Sequence, residues 1–177
     1  MRSSATILGF AANVCLLASM QLFVVPANAA SPAPPKVFGG AQIQEVYRIR
    51  LDRGDLVLES LNSIIKEFNI QDGAVLTGVG SVQECNYHGV QSLAPSAQDH
   101  VTKAKGPMEI LNMDGIIANG EPHVHITLSD IKKGAFGGHL DEGCRVLYRV
   151  ELTVAKFSGT PLARKLDQDG TPILQAK

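Results

Sequence analysis

Between Met108 and Leu128 the chain carries two runs of strand-forming residues on either side of one dipeptide, Asn119-Gly120. Asn-Gly is the strongest short-range hairpin signal, because both central positions of the favoured two-residue turn need a positive φ. Such a turn sets register as well as direction, so residue 117 faces 122, 116 faces 123 and 114 faces 125. An antiparallel pair is thereby built into the middle of the chain, and the rest must pack around it.

That hairpin carries the chemistry. Three of the five histidines lie within seventeen residues, in Pro122-His123-Val124-His125 and Gly137-Gly138-His139-Leu140. Strand side chains alternate faces, so His123 and His125 project from one face about 7 Å apart. Ile131-Lys132-Lys133-Gly134 reads as a second turn, and a return strand from Phe136 to Leu140 sets His139 opposite His125. Three imidazoles converging from two strands leave one coordination position open, as catalytic zinc sites do. The structural alternative is a pair of hydrogen-bonded strand histidines, with His139 kept for packing behind its two glycines. Asp114, facing His125, is placed either to accept a histidine N–H or to face solvent near a strand end.

Elsewhere the pattern is that of an ordinary core. Tyr47, Ile49 and Leu51 alternate with Arg48 and Arg50 in a strand over 44–51. Asp55 is positioned to cap a helix in which Leu58, Leu61, Ile64, Ile65 and Phe68 recur at helical spacing. Gly78 and Gly80 inside an apolar strand indicate a bend or the close approach of another backbone. His88 falls on a short strand over 84–90 with nothing to connect it to the other histidines. Residues 91–106 read as a polar loop with His100 solvated, 145–157 as a long strand, and 156–177 as a mixed tail with a turn at 167–170. One main amphipathic helix and six or seven strands specify an α+β domain with a mostly antiparallel β-sheet.

Residues 1–30 read as an export signal. Arg2 is the one charge before an apolar stretch from Ile7 to Val25, and Ala27-Asn28-Ala29 offers the small residues signal peptidase accepts. Cleavage leaves 177 minus 30, or 147 residues, enough for one full domain: a Pro-rich linker over 31–42 and a domain over 43–177. An uncleaved membrane anchor is the alternative; after cleavage no membrane association is expected, and the product is periplasmic or secreted. The whole chain has a net charge of −1 and no basic run longer than Lys132-Lys133, a balance that argues against nucleic acid as a partner. Cys85 and Cys144 are the cysteines left beyond the leader. Export permits a disulfide between them; two buried small hydrophobes, or Cys144 as a soft ligand near the histidines, are the other readings.

In order, Leu76-Thr77-Gly78-Val79-Gly80-Ser81, Met108-Glu109-Ile110-Leu111, the two histidine motifs, Asp141-Glu142-Gly143, Val150-Glu151-Leu152 and Arg164-Lys165-Leu166-Asp167 resemble the PPC domain (plants and prokaryotes conserved). The resemblance implies an α+β homotrimer with zinc at His123, His125 and His139. It also brings a DNA-binding label, but plant members contact DNA through separate Arg-Gly-Arg-Pro segments, and this chain has none. The fold further resembles the group of acetolactate decarboxylase and a zinc-dependent ester hydrolase, both with three-histidine metal centres. That likeness implies a metal able to polarise a carbonyl or acidify a bound water. Glu142 is the first candidate for the accompanying catalytic acid or base, with Glu109 and Glu151 behind it, and Arg164 and Asp167 read as an ion pair closing the tail. The expectation is a trimeric zinc protein binding or converting a small carbonyl metabolite, as lyase or ester hydrolase. The alternative is a non-catalytic binding module with a structural metal or none.

Overall fold

The computed structural model describes residues 34–94, 96 and 98–177, and the architecture here is that of the unit Val37–Lys177. The export signal read over 1–30 lies outside the described residues. In chain order the elements are β1 (Gln42–Asp52), α1 (Val57–Glu67), β2 (Asp72–Val90), β3 (Asp99–Ala118), β4 (Glu121–Asp130), β5 (Gly134–Leu140), β6 (Arg145–Ser158), β7 (Leu162–Leu166) and β8 (Pro172–Ala176).

Asn119 and Gly120 both take positive φ, 55° and 75°, and the turn delivers the expected register. Ile117 faces Pro122, Ile116 faces His123 and Asp114 faces His125. The main sheet is antiparallel throughout, in the order β1-β6-β2-β3-β4-β5, while β7 and β8 form a separate hairpin. The sheet also folds back on itself: β5 pairs with β2 through Tyr87↔Leu140 and His88↔His139. Strands β2, β3, β4 and β5 therefore close into a ring, so β5 has neighbours on both sides.

Helix α1 buries Val57, Leu61 and Ile65, one residue per turn, into a core shared with Ile126, Leu128, Leu140, Val150 and Leu152. Its last turn sets Phe68 against Tyr47 of β1, ring centroids 4.7 Å apart. Gly80 is a close approach, as its strand pattern implied: a Cβ there would stand 2.3 Å from the Arg149 carbonyl oxygen of β6.

Two expectations are corrected and two open readings are made specific. Asp55 does not cap α1; its carboxylate accepts the Asp52 backbone N–H at 2.8 Å, and Leu56 occupies the cap position without a side-chain bond. The polar stretch before Pro107 is strand from Asp99 onward, because the end of β2 continues as its partner as far as Val90↔Asp99. The mixed tail is the β7–β8 hairpin, with the expected turn at 167–170 between its strands. Cys85 and Cys144 are joined in a disulfide, fully buried, which rules out Cys144 as a thiolate ligand.

Candidate metal centre

Strand β4 alternates cleanly. Val124, Ile126 and Leu128 are buried in the core, while His123, His125 and Thr127 occupy the exposed face. On β5, His139 is half-buried and directly opposite His125. One ligand nitrogen from each of His123, His125 and His139 lies within 4.8 Å of the others. The His139 ring stands edge-on to both partners, at 4.7 Å from His123 and 5.7 Å from His125 between centroids. His123 and His125 themselves stack, centroids 5.3 Å apart and planes inclined by 24°, and His139 closes the group from the side. Neutral imidazoles in this number suit a borderline transition metal such as zinc, and the donor set can hold one cation with a position left open.

Glycines bring the strands close enough. A Cβ at Gly137 would stand 1.9 Å from the Ile126 carbonyl oxygen, and one at Gly138 would stand 2.3 Å from that of His88. Only a bare backbone fits there on both sides, so the glycines that precede His139 let β5 slot between β4 and β2. Gly115 does the same on β3, where a Cβ would come 2.2 Å from the His123 carbonyl oxygen.

Burial and neighbouring charge keep two of the imidazoles, His123 and His139, in the form a metal needs. Desolvation lowers the pKa of His139 to about 4, with the charges that His123, His88 and His125 would carry adding to the effect. His123 is lowered too, first by burial and then by the Arg164 guanidinium. Both are neutral at pH 7, so a cation meets free lone pairs there.

A fourth histidine belongs to the constellation. His88 of β2 stands opposite His139, ring centroids 4.4 Å apart. Its Nδ1 bonds Asp141 Oδ1 at 2.8 Å, and its Nε2 lies 3.8 Å from Asp99 Oδ2. His88, His139 and Asp141 form a second group whose ligand atoms all lie within 4.8 Å of one another. No local spacing announces His88; the one available signal was that Asp141 follows His139 by two residues. The turn carrying Asp141 is pinned from three sides. Asn86 Nδ2 donates to the Glu142 carbonyl at 2.8 Å, the Asn86 carbonyl accepts the Asp141 N–H at 3.1 Å, and Glu59 Oε1 of α1 accepts the Gly143 N–H at 2.9 Å.

The remaining candidates fall as follows. Glu142 is exposed on that turn, next to Asp141. Glu109 is exposed on β3, and Glu151 is exposed beside Arg149. Asp114 faces His125 in register, but its carboxylate accepts a bond from Asn112 Nδ2 at 2.5 Å. Arg164 and Asp167 do not pair. Arg164 donates to the Glu121 and Ile116 carbonyls at 3.2 Å each, tying β7 to the histidine hairpin, and Asp167 accepts the Asp169 and Thr171 N–H groups in its own turn.

Comparison with known proteins agrees with this fold. A metal-containing protein from Archaeoglobus fulgidus superposes with a TM-score of 0.68 at 21% identity, covering 81% of this chain and 100% of that one. A plant- and prokaryote-conserved (PPC) protein from Pyrococcus horikoshii superposes with a TM-score of 0.67 at 22% identity, covering 80% and 99%. In sequence, the chain is 29% identical over 122 residues to a bifunctional protein GlmU from Synechococcus, an alignment of 66% of this chain but 18% of the relative. The chain thus spans about a fifth of that relative's length. The Plants and Prokaryotes Conserved (PCC) domain matches residues 39–158, and the chain belongs to that family.

Proposed function

We propose that this chain is an exported, homotrimeric metal-binding domain in which His123, His125 and His139 hold one zinc ion. On this reading the site binds or converts a small carbonyl-containing metabolite. The observation that carries it is the convergence of three imidazoles from two strands, their ligand nitrogens within 4.8 Å of one another. Three protein ligands leave a coordination position for substrate or water. When bound, zinc supplies Lewis acidity toward a carbonyl oxygen or lowers the pKa of water to about 7. Glu142 is the proposed acid or base, because it is the exposed carboxylate of the turn after His139 while its neighbour Asp141 is engaged by His88. The buried disulfide supports an oxidising destination. Exposed Val46, Leu76, Val79 and Tyr148 on β1, β2 and β6 support association between copies. The absence of a basic run in the sequence speaks against nucleic acid.

A second reading, a non-catalytic binding module, is favoured by the exposure of His123 and His125 on an open strand face. The deciding experiment is metal content by plasma mass spectrometry on protein beginning at Ser31, beside His123→Ala and His139→Ala. About one zinc per chain, lost in both variants while circular dichroism is unchanged, supports the metal site and justifies screening esters and oxo-acids. No metal in the parent after zinc is offered and excess removed sinks the enzyme reading. Turnover in that screen must disappear in His139→Ala; zinc without turnover favours the binding module.

A further inference from the structure

His88 and Asp141 are not needed by the three-histidine site, yet they are among the most firmly held side chains near it. A register row runs across the sheet surface from His125 on β4 to His139 on β5 and His88 on β2. Residues directly opposite in a sheet share a face, so the three imidazoles stand side by side. His123, one alternation along β4, completes the first group on one flank of His139. His88 and Asp141 occupy the other flank.

We infer that His88, His139 and Asp141 form a second position for a divalent transition-metal ion, sharing His139 with the first. Three observations converge on it. The donor set is two imidazoles and one carboxylate, a combination suited to zinc or ferrous iron with positions left open. One ligand atom of each lies within 4.8 Å of the other two, and the 2.8 Å hydrogen bond between His88 Nδ1 and Asp141 Oδ1 holds two of the donors side by side until a cation replaces the shared proton. The scaffold is also set in advance: His88 and His139 stand on paired strands, and the Asp141 turn is fastened by Asn86, Glu59 and the Cys85–Cys144 bond. Rigid elements with their own supporting bonds are what a precise ligand geometry requires. A lone histidine–carboxylate pair would need neither the third donor nor the fastening.

The two positions draw on one imidazole, so a single cation can occupy either. Taking both at once would require the two ring nitrogens of His139, with release of its N–H proton to solvent. The inference touches the three-histidine reading only through His139, and removal of His123 and His125 separates them.

The test is calorimetric titration with zinc alone on five proteins: the parent, His123→Ala/His125→Ala, that double variant with His88→Ala added, the same double variant with Asp141→Asn added, and His88→Ala alone. Each is checked for fold by circular dichroism. The expected result is that the double variant still binds one zinc, and that adding His88→Ala or Asp141→Asn weakens this binding at least tenfold. His88→Ala alone keeps one zinc at the first position. A folded double variant that binds no zinc overturns the second position and leaves the three-histidine site standing. Binding in the double variant that ignores both His88→Ala and Asp141→Asn is adventitious and overturns it equally. A parent affinity unchanged by loss of His123 and His125, but abolished with His88, instead sinks the three-histidine reading and keeps this one. Should the alanine pair fail to fold, His123→Asn/His125→Asn on the same exposed face takes its place.

Discussion

His139 stands between His125 and His88, paired in register with one on β4 and the other on β5's second neighbour, β2. A single side chain therefore belongs to both potential ligand groups. Replacing it should damage more than replacing any other histidine. His139→Ala is expected to lower zinc affinity by more than the roughly 10–100-fold that loss of an outer supporting partner costs. Competition with a chromophoric chelator measures it; an affinity within threefold of the parent would remove His139 from the site.

Acid should loosen the metal-free protein. The pKa of His139 is depressed to about 4 in the folded state against 6.5 unfolded, and that of His123 is depressed as well. Between those values the unfolded chain binds more protons, so stability falls as pH drops from about 6.5 toward about 4 and is insensitive to these groups above that window. Urea midpoints of chelator-treated protein at pH 7.5, 6 and 5 should decline, and His139→Gln should flatten the trend. Parallel trends in parent and variant would mean other groups govern the acid response.

The disulfide closes a sequence separation of 59 residues. A loop of that length gives a loss of about 4 kcal/mol on the chain-entropy account when both cysteines become serine. Urea unfolding of the double serine variant should show a clearly lower midpoint than the oxidised parent. Coincident curves would show that the bond contributes nothing to stability.

Gly137 and Gly138 should resist even alanine. Their added methyls would meet the Ile126 and His88 carbonyl oxygens at 1.9 and 2.3 Å, both of them backbone atoms that cannot rotate away. Overpacking of this kind costs roughly 1–3 kcal/mol, and because β5 must shift, zinc affinity should fall in the same variants. Loss of stability with zinc binding intact would show that His139 is positioned by something other than this close approach.

The hairpins were legible because their information is local. Asn119-Gly120 set one register, and the spacing from His125 to His139 set the next, so the three-histidine cluster followed from counting. His88 was hidden because its partner Asp141 lies 53 residues away, across a contact between β2 and β5 that no short-range pattern encodes. That contact depends on what two glycines lack, and a missing Cβ has no hydrophobic period. Arg164 and Asp167 misled because their pairing was inferred from a motif resemblance; they lie in a strand and its turn, and each is satisfied by backbone groups instead. The strand content of 99–106 was disguised by polar residues on a stretch where Val101 and Lys103 are exposed and little is buried besides Ala104.

Cys85 lies three residues before His88, and Cys144 three residues after Asp141. Both sulfurs are buried in the core, and their bond ties the strand that carries His88 to the turn that carries Asp141. The frame on which those two side chains stand is thus covalent, and it keeps its shape whether or not a cation is present.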